Sequence, residues 1–156
     1  MARIEKMNFL GETRDCVNIS RTVGNGRANE KDDVMLIQAL LRFIGLQEDP
    51  AASGEYDNFA KYSLGLNSAA EVPRITGIFD SLTANAIRAL QNRHIHRVLK
   101  VDGIVHPASY HHRHLKKQYP LMTITLLDLE ASETITNIGN GHYIQGLKML
   151  APALPF

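Results

Sequence analysis

Apolar residues recur at helical spacing from Val34 to Ile44. Val34, Ile37, Leu41 and Ile44 form a stripe that Leu36 and Leu40 widen, with Asp32 or Asp33 placed to cap or charge the N-terminus. Gly45 stands where a C′ residue belongs. A second helix is predicted from about Ser81 to Val98, capped by Asp80 or Ser81, with Leu82, Ala86, Ile87 and Leu90 on its apolar face. A third begins at Pro107, whose missing N–H suits a first turn, and ends near Lys117. Between the first two helices, residues 47–73 read as an insertion punctuated by Pro50, Gly54, Gly65 and Pro73, with Asp57–Leu64 predicted as a helical turn or two.

After Pro120 the period changes. Met122, Ile124 and Leu126 alternate with Thr123 and Thr125, the pattern of a half-buried strand. Thr134–Ile138 and His142–Leu147 flank Gly139-Asn140-Gly141, which predicts a hairpin with positive-φ turn residues. The expected fold is mostly α: an orthogonal three-helix bundle with a small C-terminal β-hairpin appendage. The expected organisation is an N-terminal arm at 1–29, a helical domain at 30–117 and a C-terminal β appendage and tail at 118–156.

A degenerate internal repeat is the most specific feature. Thr76-Gly77-Ile78-Phe79-Asp80-Ser81-Leu82-Thr83 returns as Asp102-Gly103-Ile104-Val105-His106-Pro107-Ala108-Ser109. In each copy Gly allows a tight turn, two apolar residues are expected to plug the core, and a polar residue or Pro starts the next helix.

These residues resemble the peptidoglycan-binding-like domain family, small helical modules attached to many cell-wall hydrolases. The family's first helix has Asp-Val-x-x-Leu-Gln-x-x-Leu character, matched by Asp33-Val34-Met35-Leu36-Ile37-Gln38-Ala39-Leu40-Leu41. The family pattern Asp-Gly-x-Phe-Gly-Pro-x-Thr, followed by a helix ending Ala-Val-x-x-Phe-Gln, is matched by Thr76–Thr83 and Ala86-Ile87-Arg88-Ala89-Leu90-Gln91. The closing Asp-Gly-x-Val-Gly-Pro-x-Thr looks like Asp102 through Ser109. The resemblance spans residues 30–117, with departures at Thr76 for Asp, Asp80-Ser81 for Gly-Pro, His106 for Gly, and Tyr110 where Trp or Leu is common.

The resemblance implies a shallow groove between the repeat loops that binds peptidoglycan or a related wall glycopeptide without catalysis. Tyr110 would pack against a sugar face. Asp80, Ser81, Asp102 and His106 would hydrogen-bond amides and hydroxyls, and Arg88 would meet a peptide carboxylate.

Composition narrows the alternatives. The chain has 156 residues, 44% of them hydrophobic and 21% charged, the balance of an ordinary folded domain. A formal charge of +1 disfavours a nucleic-acid binder. The single Cys16 rules out an internal disulfide and reads as an incidental thiol. Met1 to Cys16 lacks the apolar core of a signal peptide, and no apolar run spans a bilayer, so synthesis in the cytoplasm and no membrane partner are expected. Wall binding then calls for a non-classical route, as cargo or accessory of type VI secretion or as a phage product.

Two further readings come from the residues. A protein–protein adaptor would use the C-terminal hairpin and tail. A metal-dependent hydrolase would draw on His94, His96, His106, His111, His112 and His114, of which His111 and His114 share a helical face. The expectation is no catalytic residue, metal or cofactor. Arg93, Arg97, Lys100, Arg113, Lys116 and Lys117 against Asp102 alone make a basic stretch, read as a solvated face.

Overall fold

The computed structural model describes residues 1–9, 12–46, 63–108, 121–133 and 142–156. Its elements are strands β1 (Arg3–Phe9) and β2 (Glu12–Asn18), then helices α1 (Lys31–Leu46), α2 (Ser81–Arg93), α3 (Thr123–Glu133) and α4 (His142–Leu150). Four helices and a two-stranded sheet thus make a mixed α/β architecture among the described residues, correcting the expected three-helix bundle with a C-terminal hairpin.

α1 is the axis of the core. Leu36, Ile37, Leu40, Leu41 and Ile44 are fully buried, and α3 and α4 pack against it while β2 packs against α3. Gly45 lies inside the helix and does not end it. A Cβ there would stand 2.7 Å from Leu64 Cδ1, so glycine is what lets the later part of the 47–73 stretch come close. Leu64, Leu66 and Val72 are buried there, with a single 3-10 turn at Ala69–Glu71 between Leu66 and Val72. Residues 47–62, including most of the turn expected at 57–64, lie outside the described residues.

The C-terminal half corrects the strand reading. Thr123, Ile124, Thr125, Leu126, Leu127, Leu129 and Ala131 are all buried, so α3 is covered on nearly every side. A helix buried all round loses the one-sided stripe that identifies it, and the alternation of Thr with aliphatic residues then imitates a strand. Likewise His142–Leu147, expected as a hairpin strand, belongs to α4. Its buried Tyr143, Ile144 and Leu147, continued by Ala151 and Leu154, fall at helical spacing. The expected strand at 134–138 and its turn lie outside the described residues, as do residues 109–117 of the third predicted helix. Pro107 and Ala108, the described start of that helix, are not helical.

The sheet is at the other end of the chain. β1 and β2 are antiparallel in a register from Arg3 opposite Asn18 to Phe9 opposite Glu12. Their mixed charges conceal the strand period in the sequence. The pairing explains them, since Lys6 Nζ lies 2.7 Å from its cross-strand partner's Asp15 carboxylate. Cys16, Val17 and Ile19 enter the core, and the Cys16 thiol donates to the Glu5 carbonyl at 3.2 Å.

Two buried carboxylates tie these layers together. Asp33, in the first turn of α1, accepts from the Arg21 amide at 2.8 Å and from the Ser20 amide and hydroxyl at 3.2 and 3.0 Å. Asp128 of α3 accepts from the Val17 amide at 2.8 Å and from the Tyr143 hydroxyl at 2.5 Å. One core carries residues from Ala2 to Leu154, and no helix among the described residues is long and apolar enough to cross a membrane.

Candidate recognition surface

A glutamine in each of two helices builds the surface. Gln38, fully buried in α1, accepts from the amides of Thr76 and Gly77 at 2.9 Å each. It donates to the Ile78 carbonyl at 2.9 Å and to the Thr83 hydroxyl at 3.0 Å. Gln91, fully buried at the end of α2, accepts from the amides of Asp102 and Gly103 at 3.1 and 2.8 Å. It donates to the Ile104 carbonyl at 3.0 Å and to the Thr123 hydroxyl at 2.9 Å. A side-chain amide has two donors and two acceptor lone pairs, and both glutamines use all four.

The loops they hold match atom for atom. Gly77 and Gly103 both have φ +72°, a conformation that suits glycine. The Thr76 hydroxyl accepts from the Ile78 amide at 3.1 Å, as the Asp102 carboxylate accepts from the Ile104 amide at 2.9 Å. Thr76 therefore does the work of the aspartate it replaces in the repeat. Each clamp also reaches the first turn of a following helix, Thr83 in α2 and Thr123 in α3.

The helix motifs contain both glutamines, but neither is among the expected functional residues. The signal was present: Val34-x-x-Ile37-Gln38 and Ile87-x-x-Leu90-Gln91 place a polar side chain after the same two core positions.

The expected site residues divide between the loops. Asp80 caps α2, its carboxylate accepting from the Thr83 amide at 2.8 Å and hydroxyl at 2.6 Å. Ser81 beside it is exposed. At the second loop, exposed Arg88 lies over Gly103, where a Cβ would stand 2.8 Å from its Nε. Asp102 is half-buried, with Lys100 Nζ 3.7 Å away. His106 is exposed, its Nδ1 3.5 Å from the Thr22 hydroxyl. The structure brings Arg88, Asp102 and His106 around one loop and Asp80 and Ser81 to the other. Tyr110 lies outside the described residues.

Within each apolar pair only the second residue enters the core. Val105 is buried and Phe79 packs against the core, whereas Ile78 is 70% exposed, correcting the expectation that both residues plug it. Leu82, expected on the apolar face of α2, is 41% exposed. α2 also ends at Arg93, short of the expected Val98.

The N-terminal segment covers the second loop. Val23 and Val105 exchange both backbone hydrogen bonds, at 2.8 and 3.0 Å. Gly24 lies flush on the loop, since a Cβ there would stand 3.0 Å from Ile104 Cγ1 and 3.2 Å from Ile104 Cα. Asn29 holds this segment, its side chain accepting from the Gly24 amide and donating to the Gly24 carbonyl at 2.9 Å each. Five residues before Val23, Asn18 pairs with both backbone groups of Ala108 at 3.0 and 3.1 Å, extending the same seam.

The histidines described do not assemble. His94 is wedged between the Ser63 carbonyl, 3.1 Å from Nε2, and Glu130, 3.9 Å from Nδ1, while His96 and His106 are exposed. Glu130 also accepts from Arg97 at 2.6 Å, which places one member of the basic stretch in a structural ion pair. Among the described residues no three His, Cys, Asp or Glu gather as metal ligands. His111, His112 and His114 lie outside them.

Comparison with family models, with curated proteins and with solved structures returns no match to this chain.

Proposed function

We propose that this chain is a non-catalytic recognition protein whose ligand is peptidoglycan or a related wall glycopeptide, met outside the cytoplasm after delivery by a specialised secretion route or phage lysis. The observation that carries this reading is the repeated glutamine clamp. It fixes two loops before any ligand arrives, and preorganised loops bind without a large ordering cost. Ser81 and His106 offer hydrogen bonds from those loops, and Arg88 offers a bidentate cation for a peptide carboxylate. Asp80 and Asp102 shape the loops through the bonds they already accept.

Retention on purified sacculi tests the reading. The protein is expected to stay bound at physiological salt, and Arg88→Ala to weaken binding about tenfold, the effect of one charge-assisted hydrogen bond. Circular dichroism of the variant is expected to match that of the parent. Absence of retention, or retention lost with modest salt, overturns the proposal.

A further inference from the structure

The two loops are equivalent, but among the described residues the backbone of only one is covered. At the second, Val105 gives both its amide and its carbonyl to Val23, and Ile104 lies beneath Gly24. The matching residue of the first loop is Phe79, whose amide and carbonyl have no hydrogen-bond partner among the described residues. Its neighbour Ile78 matches Ile104 and is 70% exposed, and Leu82, one helical turn further on, is exposed too.

We propose that the first loop is a docking edge for one extended segment of a partner protein, bound as Val23-Gly24 is bound to the second loop. The occupant's chemistry follows from the internal example. A β-branched residue exchanges two antiparallel backbone hydrogen bonds with Phe79, and a glycine follows it, lying flat against Ile78. Strand addition of this kind takes affinity from main-chain hydrogen bonds and selectivity from the neighbouring side chains. Glycine is favoured twice at the Gly24 position, because its φ is +155° and a Cβ there would press on Ile104 from 3.0 Å. This edge is separate from the Arg88 and His106 contacts proposed for the wall ligand, and Ser81, the third proposed contact, lies two residues beyond Phe79.

The probe is a synthetic peptide copying residues 20–27, Ser-Arg-Thr-Val-Gly-Asn-Gly-Arg, titrated to millimolar concentration into the isotopically labelled full chain. Amide shifts are expected at Gly77–Asp80, with slowed hydrogen exchange at Phe79. Methylating the peptide's valine nitrogen removes one backbone bond and is expected to weaken binding about tenfold, as is replacing its first glycine by alanine. Ile78→Lys, at an exposed position, is expected to abolish the shifts while its circular dichroism matches that of the parent. Absence of shifts, shifts confined to Gly103–His106, or equal binding of the methylated peptide overturns the proposal.

Discussion

Gln38 and Gln91 hold two different loops with the same four hydrogen bonds, each spanning from one helix to the first turn of the next. A polar side chain inside an apolar stripe would ordinarily weaken a core. Here every donor and acceptor is used, so the polar group fixes a unique loop geometry. The loops in turn place Ser81, Arg88 and His106 on the surface and leave the Phe79 backbone without a hydrogen-bond partner among the described residues.

Gln38→Leu and Gln91→Leu are each expected to destabilise the protein by about 2–4 kcal/mol, because two loop amides lose their acceptor beside the core. Gln→Glu keeps the acceptors and loses the donors, so it is expected to remain destabilising. Urea denaturation followed by circular dichroism measures the losses.

Gly45→Ala tests packing against propensity. Alanine in a helix is worth about 1 kcal/mol over glycine, yet the added methyl would press on Leu64 Cδ1 from 2.7 Å. Overpacking of this kind costs about 1–3 kcal/mol, so net destabilisation is expected. A rise in the thermal midpoint would show that Leu64 moves aside freely.

The two aspartates at the start of α1 are expected to differ sharply. Asp33→Ala strips acceptors from the Ser20 amide and hydroxyl and the Arg21 amide in a buried setting, at about 3 kcal/mol. Asp32→Ala removes only a favourable charge at a helix N-terminus, at under about 1 kcal/mol. Parallel denaturant titrations of the two variants distinguish these losses.

Tyr143→Phe deletes the 2.5 Å hydrogen bond to Asp128 without removing the ring, and a loss of about 1–3 kcal/mol is expected. Because Asp128 also holds the Val17 amide, hydrogen exchange at Val17 is expected to quicken in the same variant.

Local pattern was enough for some features. The stripe from Val34 to Ile44 predicted α1, Asp80 was one of two expected caps for α2, and the repeat located both glycine turns. These depend on neighbours in the chain, where spacing and residue type act directly. The charged strands β1 and β2 were not legible, because cross-strand pairs such as Lys6 with Asp15 make sense only once the partner strand is in register. α3 was misread because burial on all sides erases helical asymmetry. The Gly139-Asn140-Gly141 signal predicts a hairpin strand where α4 stands, although Tyr143, Ile144 and Leu147 carry helical spacing.

The candidate surface divides the same way. Sequence alone determined that two Gly-containing turns of one design exist, and that each is preceded by a helix in which glutamine follows the same apolar pair. Only the tertiary structure decided what those glutamines do and that Val23-Gly24 covers one turn and not the other. Hydrogen bonds between residues far apart in the chain are set by packing, and packing leaves no local period to read.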